Sequence, residues 1–182
     1  MKFRKPLKIT SRTSSVTNGF VQAIIPSEEP TDDARAEALR VLGMDEESIR
    51  CVYCGGNATD WDHLRPLVSG KRPTGYFNEI RNLVPACGPC NQSKSGQEWR
   101  RWMAGLAKGS PGSRGVTDIE ERIAVLERYE TWGEIEKVEL EALVGSDLWK
   151  SYWDRLAAIE SLMFEAQAEA IVIRERIIAA RR

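Results

Sequence analysis

The sequence predicts an α+β protein that is mostly helical, with a small strand-containing module, helices before it and a helical extension after it. Two Cys-x-x-Cys pairs, Cys51/Cys54 and Cys87/Cys90, bracket a segment rich in turn residues. A long apolar repeat at helical spacing runs through residues 149–180. At 182 residues, the chain can hold one ordinary domain, or a compact domain with a helical extension.

Residues 1–50 are predicted to form an arm and short helices. The apolar patch Phe20–Ile25 fits either a strand or a helix, and its periodicity does not separate the two. Thr31, followed by two aspartates, predicts a helix start with a hydroxyl N-cap, and Gly43 is expected to end that helix. A second short helix is expected over 45–50, just before the first cysteine pair.

All four cysteines fall in the two equally spaced pairs. This is the pattern of a structural zinc site in which four thiolates converge on one ion, here Cys51, Cys54, Cys87 and Cys90. Two disulfides or a redox pair are the alternatives, and neither explains the equal spacing. The composition is not that of a disulfide-rich secreted protein, no apolar stretch is long enough to span a bilayer, and the basic start leads into no apolar signal core, so we expect a cytoplasmic location without membrane association.

The module is predicted to span 51–107. Between the cysteine pairs we expect a strand over 58–67, a polar loop over 68–75 and a return segment over 76–85, which together form an irregular β-hairpin held by metal. A helix is expected to open at 91–95 after the second pair. A following apolar stripe at helical spacing predicts core packing in preference to base stacking; it consists of Trp99, Trp102, Met103 and Leu106.

Residues 108–116 are predicted to be a flexible linker because they are rich in glycine and serine. Residues 117–182 are predicted to be helical, with a capping box at Thr117 and a last helix capped by Ser146. The apolar seam of that last helix needs a partner, either the helices of 118–143 or a second copy of the chain. We expect a contribution from both, with a homodimer formed through the C-terminal helix.

The net charge of −1 conceals a segregation of charge along the chain. Residues 63–115 carry nine Lys and Arg against two Glu, whereas 116–182 carry nine basic and fifteen acidic residues. Residues 1–12 add five basic residues and no acidic one. Such runs are often only solvated faces, but the coincidence of the basic stretch with the cysteine module favours a polyanion partner, namely DNA.

His63 is the single histidine of the chain and lies between the cysteine pairs, in Asp62-His63-Leu-Arg-Pro. It is the one side chain whose ordinary pKa lies near neutrality, so it is the simplest general base. Asn82 opens Asn-Leu-Val-Pro before the second pair, and Asn91 opens Asn-x-x-Lys after it. In this order, these elements resemble the HNH nuclease motif of the ββα-metal fold over about residues 51–105. The asparagine at 91 replaces the histidine that gives the motif its last letter.

The resemblance implies a role for each motif residue. His63 would activate water, while Asp62 and Asn91 would hold a catalytic Mg²⁺, with Mn²⁺ as a possible substitute. Asn82 would hydrogen-bond the backbone across the hairpin and hold His63 in position. Asp60 is a rival metal ligand because it shares a strand face with Asp62. The candidates for phosphate contacts are Arg65, Arg81 and Lys94.

The predicted function is that of a magnesium-dependent DNA endonuclease, and the resemblance implies that it leaves 5′-phosphate and 3′-hydroxyl ends. A restriction enzyme of type II character, or another phage-defence activity, is favoured, because one catalytic module per chain and a dimerising helix supply two active sites for two strands. A monomeric nicking or homing enzyme, or a phage nuclease, is the close alternative. From a different class, a non-catalytic zinc module that binds nucleic acid would keep the cysteines but would not need His63.

Overall fold

In the computed structural model, which describes residues 5–181, the chain divides into two compact units. One unit contains the chain up to Ala23 together with the chain from Glu139 onward, and the other is Ile24–Val138. The protein is 53% helical with small sheets, which confirms the predicted fold class. Residues 1–4 of the basic arm lie outside the described residues. Within the described part, no helix has the length and apolar character that crossing a membrane requires.

Seven α-helices and four short strands occur among residues 5–181. The helices are α1 (Thr13–Gln22), α2 (Asp32–Val41), α3 (Gly88–Lys94), α4 (Trp99–Met103), α5 (Ile119–Gly133), α6 (Leu140–Val144) and α7 (Ser146–Ala179). The strands are β1 (Asp60–His63), β2 (Val68–Ser69), β3 (Arg72–Pro73) and β4 (Leu83–Ala86).

The unit Ile24–Val138 contains the predicted hairpin. Strands β1 and β4 pair antiparallel, with His63 opposite Leu83 and Asp60 opposite Ala86. The intervening loop carries the small β2–β3 hairpin. Helix α3 follows β4 after Cys87, and it begins at Gly88, three residues earlier than the sequence predicts, with a proline in its first turn. The segment between the two cysteine pairs therefore forms an antiparallel strand pair, as predicted, and a short helix follows it.

The tryptophans after α3 pack in the core of this unit. Trp99, Trp102 and Met103 are buried, and the rings of Tyr53 and Trp102 meet edge to face at 5.1 Å. This confirms the core role predicted for both tryptophans. Leu106, the last residue of the predicted stripe, is 96% exposed because α4 ends at Met103.

The structure confirms one predicted helix cap and contradicts three other predictions about helices. Thr31 caps α2 by accepting from the Ala34 N–H at 3.2 Å, as predicted. The helix expected over 45–50 is wrong: Asp45 Oδ1 accepts from Glu47 N–H and the Ser48 hydroxyl, which closes a turn instead. The capping box at Thr117 and the Ser146 cap are also wrong, because the N-caps are Asp118 and Gly145, and neither makes a side-chain cap hydrogen bond.

Helix α5 packs against the core of the same unit. The Tyr129 hydroxyl lies 2.6 Å from Ile80 O and 2.7 Å from Leu83 O, so α5 contacts both the chain leading into β4 and the strand itself. The segment before α5 makes tight turns in which Ser110 is fully buried and its hydroxyl donates to Gly105 O at 2.7 Å.

The second unit is built around the 34-residue helix α7. The N-terminal segment packs on the first half of α7: the rings of Phe20 and Tyr152 lie 5.1 Å apart, and the Tyr152 hydroxyl donates to Phe20 O at 2.9 Å. Farther along, Ile9 N–H donates to Gln167 Oε1 at 2.7 Å. The patch Phe20–Ile25, which the sequence left open between strand and helix, begins within α1.

Candidate active site

The four cysteines converge at the junction of β4, α3 and the turn that contains Cys51. Their sulfur atoms all lie within 4.8 Å of one another, and the Sγ atoms of Cys54 and Cys87 are 3.7 Å apart. Tetrahedral zinc with Zn–S bonds of about 2.3 Å requires an S–S separation of about 3.8 Å. The cluster therefore fits one zinc ion, and all four cysteines are free rather than paired as disulfides.

The surroundings of the cluster shift its thiols in different directions: burial raises the pKa of Cys87, and the hydrogen bond with Cys51 raises the pKa of Cys90. The hydrogen bond with Cys90 lowers the pKa of Cys51 to about 5. Arg114 Nη1 donates to Cys90 Sγ at 3.2 Å and supplies positive charge beside the sulfur atoms. Arg122 Nη1 donates to Val52 O at 3.2 Å and so fixes the turn between the first two cysteines. Two arginines outside the predicted module thus support the cluster.

His63 is the last residue of β1 and is half-buried. Its Nε2 lies 3.0 Å from Asn78 Oδ1. Burial lowers the pKa of His63 below its ordinary value of 6.5, although the hydrogen bond with Asn78 opposes the shift. The imidazole is therefore neutral at pH 7, which is the form that accepts a proton.

Asp62 lies on the opposite face of β1 from His63, and its carboxylate is buried. The Tyr53 hydroxyl donates to Asp62 Oδ2 at 2.7 Å, and Lys94 Nζ lies 3.0 Å from the same oxygen. Neither contact uses Oδ1. Lys94 Nζ also donates to the backbone oxygen of His63 at 2.7 Å. Burial lowers the pKa of Lys94, and Asp62 opposes that shift.

Lys94 is therefore placed inside the module, whereas the sequence suggested a surface contact with phosphate. Its side chain is fully buried, and its ammonium contacts two oxygen atoms of β1, the backbone oxygen of His63 and Asp62 Oδ2. An ammonium group in this position binds the strand to α3 and balances the charge of Asp62. The spacing Asn-x-x-Lys gave no signal of this burial.

Asn91 lies in α3, one helical turn before Lys94, and is half-buried. Residues three apart share a helix face, so Asn91 belongs to the side of α3 that Lys94 turns towards β1. No hydrogen bond joins the side chains of Asp62 and Asn91 among the described residues. The rival ligand Asp60 is exposed, and its Oδ2 accepts from the Thr59 hydroxyl at 2.9 Å.

The Asn82 side chain is fully buried and links three backbone positions. Its Oδ1 accepts from Arg65 N–H at 2.8 Å, while its Nδ2 donates to Arg65 O at 3.0 Å and to Phe77 O at 3.1 Å. The backbone of Asn82 also accepts from Leu64 N–H at 2.8 Å. These bonds fix the chain immediately after His63.

The two arginines predicted to contact phosphate differ in their surroundings. Arg65 Nη2 pairs with Glu130 Oε1 at 2.6 Å, and its guanidinium carbon lies 6.0 Å from the centre of the Tyr76 ring. Arg81 is exposed in the middle of the short 3-10 turn Ile80–Asn82 before β4. The structure thus presents Arg81 to solvent and places Arg65 within an ion pair.

Sequence reasoning missed three residues of this region. Asn78, Tyr53 and Arg114 contact His63, Asp62 and the cysteine cluster respectively. None belongs to a spaced motif, and Arg114 lies in the segment predicted to be a linker. Their roles depend on contacts between segments distant in the sequence, which local patterns do not report.

Comparison with known proteins agrees with this geometry. Residues 51–97 match the family model described as HNH endonuclease. The chain is also 32% identical over 73 residues to the CRISPR-associated endonuclease Cas9 of Corynebacterium diphtheriae, a match that covers 38% of this chain and 6% of that protein. No solved structure matches the chain. Residues 51–97, with their strand pair, short helix and four-cysteine cluster, therefore form an HNH endonuclease domain.

Proposed function

We propose that the protein is a magnesium-dependent DNA endonuclease in which His63 is the general base. The observation that carries the proposal is the half-buried imidazole at the end of β1, with its Nε2 3.0 Å from Asn78 Oδ1, inside a domain of the HNH endonuclease family. The backbone oxygen of His63 is held by Lys94, and the chain after it by Asn82. Hydrogen bonds thus hold the backbone of His63 and of the residue that follows it.

The chemistry that suits this arrangement is hydrolysis of a phosphodiester. His63 accepts a proton from water as the water oxygen bonds to phosphorus, and the bond from phosphorus to the 3′ oxygen breaks. The 3′ oxygen then takes a proton from solvent, so the products are a 5′-phosphate and a 3′-hydroxyl. The uncharged form of His63 is required at the first step, which the lowered pKa provides.

Asp62 and Asn91 are the proposed holders of the catalytic cation. A carboxylate oxygen and an amide oxygen are hard ligands of the kind that Mg²⁺ and Mn²⁺ take. Asp62 Oδ1 is not used by Tyr53 or Lys94, and Asn91 shares the helix side of Lys94. When bound, the cation would stabilise negative charge on the phosphate and the leaving oxygen.

DNA is the proposed substrate, and exposed cations of the domain such as Arg81 are the proposed phosphate contacts. Within this class we favour a restriction or other phage-defence enzyme. We place the activity in the cytoplasm, where the thiols of the cluster stay reduced and able to bind zinc.

The test is cleavage of supercoiled plasmid by the zinc-loaded 182-residue chain. We expect nicked or linear products with Mg²⁺ or Mn²⁺ and none with excess EDTA added immediately before the substrate. Sequencing of the product ends should give 5′-phosphates and 3′-hydroxyls. A folded, zinc-replete protein that leaves single-stranded and duplex DNA intact with both cations would contradict the proposal and favour the non-catalytic zinc module.

We also propose that the last third of α7 joins two copies of the chain. The predicted seam is half-buried at Trp149 and Tyr152 and buried at Leu156, where the N-terminal segment covers it. Farther along, Ile173 and Ile177 are 57% and 56% exposed. Exposed isoleucines at coiled-coil spacing suit an identical helix as partner. Two joined domains would bring one active site to each DNA strand.

Replacing Ile173 and Ile177 by glutamate should convert the protein from dimer to monomer in equilibrium sedimentation. Buried like charges would oppose pairing of the two helices. Plasmid cleavage by this variant should accumulate nicked circles before linear product. Arg174→Glu, which adds negative charge outside the seam, is the matched control and should remain dimeric. A wild-type protein that sediments as a monomer at micromolar concentration would contradict the proposal.

A further inference from the structure

We propose that Asn78 and Ser27 position the His63 imidazole by selecting which ring nitrogen carries the hydrogen, so that the segment 26–28 is part of the active site. This inference rests on the proposed function, in which His63 is the base. It gives a function to the hydrogen-bonded side chains of Ser27, Asn78 and His63, which join three segments of the unit Ile24–Val138. No sequence motif contains all three residues.

The backbone of Asn78 is fixed on both sides by the segment 26–28. Asn78 N–H donates to Pro26 O at 3.3 Å, and Glu28 N–H donates to Asn78 O at 3.0 Å. These two bonds form a parallel bridge in which Ser27 lies beside Asn78. The Cα of Asn78 therefore has a defined position relative to a segment that lies some fifty residues earlier in the chain.

The side chain of Asn78 spans the space between Ser27 and His63. Its Nδ2 donates to the Ser27 hydroxyl at 2.7 Å, and its Oδ1 lies 3.0 Å from His63 Nε2. An amide oxygen can only accept, so Nε2 of the neutral ring must carry the hydrogen. Nδ1 then holds the free electron pair and is the atom that can take a proton from water.

The orientation of the amide decides this outcome. If Asn78 turned over, its NH₂ group would face His63, and Nε2 would have to accept while Nδ1 carried the hydrogen. The free electron pair would then lie on Nε2, the nitrogen that Asn78 occupies, and would not be available to a water molecule. The hydrogen bond that Nδ2 donates to Ser27 favours the productive orientation, because the hydroxyl oxygen offers that NH₂ group an acceptor on the side away from His63.

His63 is the single histidine of the chain, so its ring gives the only imidazole signals in a nitrogen-15 spectrum. In the zinc-loaded 182-residue chain at about pH 8, where the ring is neutral, two-bond proton–nitrogen correlations should show hydrogen on Nε2. Asn78→Ala should give a mixture of the two tautomers. It should also lower kcat for plasmid cleavage by about 10–100-fold with KM nearly unchanged.

Two further variants keep the inference testable if Asn78→Ala folds poorly. Asn78→Asp retains an acceptor for Nε2 and should restore the tautomer with hydrogen on Nε2. Ser27→Ala, at an exposed position, should shift the tautomer ratio in the same direction as Asn78→Ala but less far. Asn57→Ala, an exposed asparagine of the same unit, is the control and should match the wild type in both readouts.

An unchanged tautomer in both Asn78→Ala and Ser27→Ala would overturn the inference. In that case the wild-type protein would still cleave DNA, and the His63 variants would still be inactive. Failure of the proposed function would look different, because the wild-type protein itself would not cleave.

Discussion

Replacing His63 by alanine should reduce the rate of plasmid cleavage by about 10²–10⁴-fold, the usual contribution of a general base. No other histidine exists in the chain to take its place. The nearest cation, Lys94, is buried and occupied by the His63 backbone and Asp62. The residual rate should therefore reflect hydroxide from solvent and should rise steeply with pH.

His63→Gln is the sharper companion variant. It retains a polar side chain near Asn78 but cannot accept a proton at neutral pH, so it should be as inactive as His63→Ala. Gln92→Ala, on the exposed side of α3, should keep wild-type activity. Zinc content and near-ultraviolet circular dichroism should be equal in all of these proteins. Wild-type cleavage by His63→Ala would end the assignment of His63 as the base.

Removal of zinc should unfold the unit Ile24–Val138. Structural zinc contributes an apparent free energy of about 10–16 kcal/mol in small zinc modules, while whole domains are stable by only about 5–15 kcal/mol. Cys51 and Cys90 belong to the same core as Trp99 and Trp102, so loss of the ion exposes the aromatic core. We expect a high-affinity chelator, or Cys51→Ser, to abolish the near-ultraviolet dichroism of these tryptophans.

Arg114→Ala is the control for this experiment because it leaves all four thiols in place. Loss of its hydrogen bond to Cys90 should weaken zinc binding by about 10–100-fold without unfolding the zinc-saturated protein. Competition with a chromogenic chelator measures the affinity. A metal-free protein, shown by elemental analysis, that keeps its tryptophan dichroism would contradict a structural role for zinc.

The features predictable from the sequence were those encoded by local spacing. The cysteine pairs predicted one cluster, and the structure brings their sulfur atoms within 4.8 Å. The turn-rich segment between the pairs predicted a hairpin, which β1 and β4 form. Thr31 predicted the start of α2 because an N-cap depends on the next three residues only.

The features that sequence reasoning missed depend on tertiary contacts. In the sequence, nothing distinguishes Lys94 from a surface lysine. Its burial depends on the two acceptors that β1 supplies in the folded protein. Glycine, serine and proline in 108–116 suit both a linker and a set of tight turns, and the structure uses them for turns that bring Arg114 to Cys90. The bridge between Ser27 and Asn78 joins two segments that are distant in the sequence, and no sequence motif includes both of them.

The order of helix α3 determines whether the active site can form, and so when the protein can act. It is only seven residues long, far shorter than a helix that persists alone in water, and it carries Cys90 of the four-cysteine cluster near its start and Lys94 at its end. Asn91 lies between these two residues of α3, and the ammonium of Lys94 donates a hydrogen bond to the backbone oxygen of His63. Newly made protein without zinc should therefore lack an ordered active site. Binding of metal by the four cysteines would then be the step that switches the newly made chain from an inactive to an active form.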